Sequence, residues 1–491
     1  MGYGSFRGGV HPFPGKDITK EKAVLEYLPK GELVYPLLQH IGTPAKAVVS
    51  VGDRVLAGQV IGEASGGLSA NVISSVSGKV RTIERRLLAT GAVSESVIVE
   101  NDGEYRPDLG IGKGRNPEEM TKEEIRTAVK NAGIVGLGGA GFPTHVKLAP
   151  EDDGAIEYVI INGAECEPYL TGDYRLMLEE PERILTGLRV ILRLFEKAKG
   201  IIAIEENKPE AIERMKKSIR ENTFGNISGD VSSDISGDTS MNTSIEVCAL
   251  KTKYPQGAER SLIFSVTGRK INSGKLPKDA GCIVCNTATA HAVGMAVCEG
   301  LPLMSRIITL TGDAIANPQN FRVKIGTNFT ELIEAAGGFT CHPEKVIAGG
   351  PMMGMALTVS DVPVTKTSSA LLVFRHDPVA AVKPGSCIRC GRCVKACPCR
   401  LAPLKMWQAC KHYNLDLFQK LNGMECYECG SCTFVCPARL SLTQSFKQAK
   451  MMVSEERKRT GTRPSDSRKQ DKNKNTAEQD LPQAEAGGAI G

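Results

Sequence analysis

The chain has 491 residues, 41% hydrophobic and 24% charged, which is an ordinary globular composition with length for roughly three or four domains. Its 61 Lys and Arg are interleaved with 55 Asp and Glu, and aromatic residues make up only 5%, so neither a basic patch nor a base-stacking surface for nucleic acid is expected. No apolar run approaches the ~18 residues that span a bilayer, and the opening MGYGSFRGGVHPFPGK lacks the order of a secretory signal. Any membrane contact is therefore expected to be peripheral and made through another protein.

In chain order, residues 1–115 are rich in glycine and β-branched runs (46–51, 55–61, 72–76, 79–83, 96–99) separated by turn pairs, which predicts a compact all-β domain. From Asn116 the pattern changes. Asn116 and Pro117 read as a capped helix start, followed by Ile125, Ala128, Val129 and Ala132 at helical spacing. A glycine-rich loop, a strand over 158–161, an amphipathic helix over 181–198 and a strand over 200–204 then alternate as in an α/β domain. Residues 222–244, rich in Ser, Asp and Gly, read as a flexible insertion. Strands over 306–310 and 344–348 flank a helix over 329–336, a small α+β module. After Val453 the chain is rich in Lys, Arg, Glu, Ser and Gln without an apolar period, which predicts a disordered tail.

Cysteine is the most informative residue type. Of sixteen, ten lie between Cys387 and Cys436, which suits a reducing compartment and metal ligation more than a disulfide framework. Cys387, Cys390, Cys393 and Cys397 before Pro398 follow C-x2-C-x2-C-x3-C-P, and so do Cys426, Cys429, Cys432 and Cys436 before Pro437. Three closely spaced thiolates wrap one face of an iron–sulfur cubane, and the fourth is sent to the neighbouring cluster. The pattern therefore assigns Cys387, Cys390, Cys393 and Cys436 to one [4Fe-4S] cluster, and Cys426, Cys429, Cys432 and Cys397 to a second. Zinc is the alternative, since CxxC pairs also build tetrahedral sites. Over about 60 residues this region resembles the two-cluster ferredoxins, with an inserted helix over 403–413 and with Cys399 and Cys410 as bystander thiols.

The second informative segment runs from Gly136 through Gly138, Gly139, Gly141 and Phe142 to Lys147. It satisfies G-x-G-x-x-G, but a helix precedes it and Pro143 follows the glycines, so the Rossmann context is missing, and no Gly-Lys-Ser/Thr makes it a Walker loop. Its amides can approach a phosphate or a flat ring closely, with Lys147 as counter-charge. Taken whole, GxGGAGFPTxxK resembles the flavoprotein subunit of respiratory complex I. The resemblance continues through Asn162, Glu165, Glu167 and Pro168, through Tyr254, Gly257 and Glu259, and through Asn286 and Thr289. It implies that Gly136, Gly138, Gly139, Lys147, Asn162, Glu165, Glu259 and Asn286 line a non-covalent FMN, with Phe142 and Glu167 nearer to NAD(H). This chain departs from that family at Ala164, Ala258 and Cys285.

Two lesser motifs point away from function. The segments Val51–Val60 and 74–80 resemble a biotinyl/lipoyl hammerhead, but Ala70-Asn71-Val72 stands where the modified lysine would be. Cys282 and Cys285 form half a metal motif and read better as buried free thiols.

The order of modules, with Phe6–Pro12 at the start and Gly349–Gly354 late in the chain, resembles the C subunit of the Rnf electron-transport complex. The fold class expected is multidomain α/β plus all-β. It comprises a barrel-sandwich hybrid (1–115), an FMN/NADH-type domain (116–300), a β-grasp-like SLBB module (301–375), a two-cluster ferredoxin-like domain (376–450) and a disordered tail (451–491). The resemblance implies a peripheral component on the cytoplasmic side of the cell membrane, partnered by integral-membrane Rnf subunits, ferredoxin and NAD(H). Electron transfer would be coupled in the whole complex to Na⁺ or H⁺ translocation, and no residue of this chain is expected to act as an acid, base or nucleophile. A soluble flavin/iron–sulfur reductase of the cobalamin-reductase kind, and an iron–sulfur wire without flavin turnover, remain as alternatives.

Overall fold

The computed structural model describes residues 4–224 and 244–460, so most of the predicted insertion (225–243) and the end of the predicted tail (461–491) lie outside the described residues. Among the described residues no helix is long and apolar enough to cross a membrane.

The N-terminal β-domain packs two small sheets face to face. Glu32–Pro36, Val93–Asn101, Gly78–Leu87 and Arg54–Val55 form one, and Lys46–Ala47, Val60–Glu63 and Val72–Ile73 the other. Alternating residues Leu33, Tyr35, Ile61, Val80, Val97 and Val99 fill the space between them. The predicted run 55–61 is broken, because the amide of Gln59 closes a turn on the carbonyl of Leu56 between the two strands. The loop that would carry a modified lysine is buried, with Ala70 1% and Asn71 7% exposed, so no swinging arm could leave it.

The α/β unit is a four-stranded parallel sheet in the order Ile245–Leu250, Lys199–Glu205, Tyr158–Gly163, Cys282–Asn286. Its central strands are apolar on both faces because helices cover both. Helix Lys122–Asn131 begins at Thr121 rather than Asn116: Thr121 and Glu124 form a reciprocal capping box, whereas Asn116 caps only a short 3-10 turn over Pro117–Glu119. Helices Pro181–Leu192 and Thr287–Cys298 cross almost in backbone contact. A Cβ at Gly187 would fall 1.7 Å from the Ala290 carbonyl oxygen, so only glycine allows this approach. Cys282 and Cys285 are both buried but belong to separate apolar clusters of the sheet, as free thiols.

A six-stranded mixed sheet follows, in the order Val24–Tyr27, Gln319–Lys324, Ser305–Thr311, Ala370–Phe374, Lys345–Ala348, Met355–Leu357. Its edge strand, Val24–Tyr27, pairs in parallel with residues 320–323. A piece of the N-terminal segment is thus built into a module expected to begin at residue 301.

The cysteine region is helical around Met406, Phe418, Leu442 and Phe446. Helix Pro403–Lys411 matches the predicted insert. The last helix runs Leu442–Thr460, so residues 451–460 are ordered helix where a disordered tail was expected. Val453 is buried and holds this stretch against the domain.

Candidate functional site

The parallel sheet presents the carboxyl ends of its strands along one edge, the usual place for a ligand in such sheets. Asn162 and Asn286 are register partners there, at the ends of the two neighbouring strands. Asn286 caps helix Thr287–Cys298 by accepting from the Ala288 amide at 2.9 Å, and its Nδ2 donates to Asp173 Oδ2 at 2.6 Å. Asn162 donates from Nδ2 to the Gly257 carbonyl at 2.9 Å.

The glycine loop lies against this edge. The Gly136 amide donates to the Phe142 carbonyl at 2.8 Å and closes the loop on itself. Gly138, Gly139 and Ala140 are exposed. A Cβ on Gly138 would meet the Asn286 side chain at 2.9 Å, whereas one on Gly139 would meet nothing within 4 Å. Lys147, in the short helix after the loop, donates to the Val284 carbonyl at 2.9 Å and pairs with Glu259 Oε1 at 3.1 Å. Gly138, Asn286, Lys147, Glu259 and Asn162 are therefore gathered at one edge.

Glu165 joins them through a second layer. Its Oε1 accepts from the Asp173 amide at 2.7 Å, while its Oε2 is buried without a hydrogen-bond partner. Its backbone is in the left-handed region at φ 43, as is Tyr169 at φ 68. Lys16, from the N-terminal segment, holds this loop by donating from Nζ to the carbonyls of Glu165 at 2.9 Å, Glu167 at 3.0 Å and Leu170. Burial pushes the Glu165 carboxyl up and the Lys16 ammonium down, and at 3.8 Å their attraction offsets only part of it. Glu167 faces elsewhere: it accepts from the Met352 amide at 3.1 Å and lies 3.3 Å from the Tyr254 hydroxyl. Burial raises Glu167 to about 7 against the opposing pull of the Met352 amide and the nearby Tyr254 hydroxyl.

The sequence offered no signal for Lys16, Asp173 or Arg306. Arg306 is buried and reaches from the mixed sheet to donate to the Leu137 carbonyl inside the glycine loop at 3.0 Å. Burial lowers it to about 10, so it stays charged at neutral pH. Tyr254 belongs to the segment ending at Glu259, and nothing in that pattern hints at what its side chain does. Its buried hydroxyl donates to the Cys429 carbonyl at 2.7 Å and so joins the glycine-loop domain to the cysteine domain. Arg260 and Glu425 add an ion pair at 2.9 Å across the same junction. The N-terminal strap completes it: Gly9 donates to the Ala396 carbonyl at 2.8 Å, and Val10 bridges to Tyr254.

The thiols fall into two groups. One cavity is lined by Cys397, Cys426, Cys429 and Cys432, with Cys399 and Tyr427. Cys393 instead neighbours Cys390 and Cys436, and Cys387 and Cys390 are exposed on the preceding loop. The fourth cysteine of each run thus sits beside members of the other. This suits the chemistry of soft thiolates around iron–sulfur centres. Among the described residues no three His, Cys, Asp or Glu side chains are arranged to hold a single metal ion. A shallow cleft at the opposite edge of the parallel sheet, between Pro150–Glu157 and Lys278–Gly281, contains none of the candidate residues.

Three family models match this chain: a Nuo51 FMN-binding domain over residues 129–295, an RnfC barrel sandwich hybrid domain over 4–104 and an SLBB domain over 307–356. The C subunit of the Na(+)-translocating ferredoxin:NAD(+) oxidoreductase complex of Acetobacterium woodii is 43% identical over 93% of this chain and 99% of its own length. Its proton-translocating counterpart in Clostridium ljungdahlii is 44% identical over 81% of this chain and 83% of its own. The C subunit of the ion-translocating oxidoreductase complex of Rhodobacter capsulatus is 40% identical over 93% of this chain and 84% of its own. With near-complete coverage at this identity, the chain belongs to the RnfC family, the C subunits of the ion-translocating ferredoxin:NAD(+) oxidoreductase, or Rnf, complexes.

Proposed function

We propose that this chain is the peripheral electron-transfer subunit of an ion-translocating ferredoxin:NAD⁺ oxidoreductase complex, seated on the cytoplasmic face of the membrane. It would relay electrons between NAD(H) and the other subunits, and ultimately ferredoxin, while Na⁺ or H⁺ moves through its partners. The observation that carries this reading is the junction at Tyr254. One hydroxyl ties the edge holding Asn162, Lys147 and Asn286 to the backbone of Cys429, so a nucleotide-facing site and a thiolate site form one body.

FMN suits that edge. The exposed amides of Gly138 and Gly139 and the Lys147 ammonium offer donors to a phosphate, and Gly136 closes the loop that presents them. Asn162, Asn286, Glu165 and Glu259 provide polar groups for a ring system, with Phe142 toward the nicotinamide side, whereas Glu167, turned to Met352 and Tyr254, would act at the junction with the cysteine domain instead. FMN bound there would exchange two electrons with NAD(H) and pass them singly to iron–sulfur centres. Two [4Fe-4S] clusters would be held by Cys397, Cys426, Cys429 and Cys432, and by Cys387, Cys390, Cys393 and Cys436. Among the chain's own residues, Lys16 fixes the Glu165–Leu170 loop, Arg306 fixes the glycine loop, and Asp173 orients Asn286.

The test is anaerobic reduction by NADH, followed by flavin absorbance and by EPR. Lys147→Ala should impair flavin reduction, and Cys390→Ala should spare it while removing one cluster signal. Persistent absence of FMN after reconstitution would refute the relay in favour of a wire. A native protein found wholly in the soluble fraction after gentle lysis would refute the membrane complex.

A further inference from the structure

The two cysteine runs share their spacing but not the residues set between and after the thiols. Cys390-Gly391-Arg392-Cys393 of the first corresponds to Cys429-Gly430-Ser431-Cys432 of the second, so Arg392 stands where the second run has Ser431. Leu404 and Thr443 each follow the fourth cysteine of their run by seven positions. The backbone donors at the head of each run are alike. The Arg389 amide lies 3.4 Å from Cys387 Sγ, and the Glu428 amide 3.3 Å from Cys426 Sγ. The side chains are not: Arg392 is exposed, whereas Ser431 and Thr443 are 0% and 5% exposed and lie against sulfur.

Ser431 Oγ is 3.4 Å from Cys429 Sγ, and Thr443 Oγ1 is 3.7 Å from Cys432 Sγ. A cluster-bound thiolate has no proton to give, so in the loaded protein the hydroxyls are the donors. For Thr443 the neighbouring bonds set this orientation. Its amide donates to Thr433 Oγ1 at 3.0 Å, which leaves the Thr433 hydroxyl to donate to Thr443 Oγ1 at 2.9 Å. The Thr443 proton is then directed to the sulfur.

Reduction of a cluster adds one electron and no proton, so negative charge rises on the thiolate sulfurs. Around Cys387 and Cys390, which are exposed, water can stabilise that charge. Cys429 and Cys432 are only 8% exposed, and burial disfavours it. A fixed O–H dipole aimed at the sulfur opposes this penalty and acts most strongly where water is excluded.

We infer that Ser431 and Thr443 hold up the reduction potential of the cluster bound by Cys397, Cys426, Cys429 and Cys432, so that this buried centre can take an electron from the flavin side. This builds on the proposed binding of two [4Fe-4S] clusters and names the side chains that make the two unequal. In the relay the reduced flavin loses the one electron that the cluster gains, and the hydroxyls keep their protons throughout.

The test is an anaerobic, EPR-monitored redox titration of the reconstituted full chain, after iron and sulfide analysis. Wild type should show two one-electron midpoints, and the signal surviving in Cys390→Ala assigns one of them to the cluster behind Tyr254. Ser431→Ala removes one hydroxyl, and Thr443→Val replaces the other by a methyl group while keeping the amide bond to Thr433. Each should weaken the reduction equilibrium of that cluster about ten-fold, a midpoint about 59 mV more negative for one electron, and leave the other midpoint unmoved. Thr443→Ser keeps a hydroxyl and should stay near the wild-type midpoint. Two intact clusters with both midpoints unchanged would overturn the inference. So would a shift in Thr443→Ser as large as in Thr443→Val, or loss of the cluster from both hydroxyl-free variants, since either reduces the hydroxyls to packing. Wild type without a second cluster would sink the thiolate assignment and this inference together. Two clusters without FMN would sink the relay and leave the role of the hydroxyls standing.

Discussion

Replacing Gly138 with alanine puts a methyl group 2.9 Å from Cβ and Nδ2 of Asn286, tighter than a carbon contact allows. The backbone of Gly138 is not in the left-handed region, so the conflict lies wholly with Asn286. That side chain holds two bonds at once, the cap to Ala288 at 2.9 Å and the bond to Asp173 at 2.6 Å. Losing the cap costs about 0.5–2 kcal/mol, and losing a hydrogen bond to a charged acceptor costs about 1.5–3 kcal/mol. Gly138→Ala should therefore destabilise the α/β unit by about 2–5 kcal/mol if both are lost. If half of this is felt at the ligand edge, FMN affinity falls roughly 5- to 70-fold. Gly139→Ala, with nothing within 4 Å of its new methyl, is the control that should retain wild-type stability. Urea denaturation and flavin content of the reconstituted protein measure the two effects. The double variant Gly138→Ala/Asn286→Ala should lose little more than Asn286→Ala alone, because the clash and the bonds belong to one side chain. Wild-type stability and flavin content in Gly138→Ala, with both lowered in Asn286→Ala, would refute the reasoning.

Tyr254→Phe should cost about 1–3 kcal/mol, because it leaves the Cys429 carbonyl buried and unbonded. Stopped-flow mixing with NADH should show flavin reduction at the wild-type rate and slower cluster reduction; equal slowing of both would contradict the junction role. Lys16→Met should weaken NADH binding more than it lowers turnover, since it frees the Glu165–Leu170 loop, and Lys16→Arg should restore part of the loss. Lys366 is buried, donates to the Gly133 carbonyl at 2.7 Å, and is lowered to about 7 by that burial. Between pH about 7 and 10.4 the unfolded chain binds a proton that the folded one does not, so stability rises with pH by up to about 1.4 kcal/mol per unit. The stability difference between wild type and Lys366→Met, followed by urea denaturation from neutral to alkaline pH, should grow in favour of wild type; a flat difference would show that the amine does not titrate in this window.

Much of this protein is local in origin and legible in the chain. The two cysteine runs, the glycine loop and the alternation of strand and helix over 158–204 depend on neighbours a few residues apart, and spacing alone exposes them. Residues 451–460 escape a compositional reading because they are polar, while one buried face, anchored by Val453, is enough to keep the helix docked. What tertiary structure alone decided is which distant segments meet. Lys16 reaches Glu165 across 149 positions, Arg306 reaches Leu137 across 169, and Tyr254 reaches Cys429 across 175. No periodicity records such pairs, because each is fixed by how whole sheets pack and by the need to satisfy buried donors and acceptors. The sequence determined the chemistry available, thiolates and a glycine-lined edge; packing decided that the two lie one tyrosine hydroxyl apart.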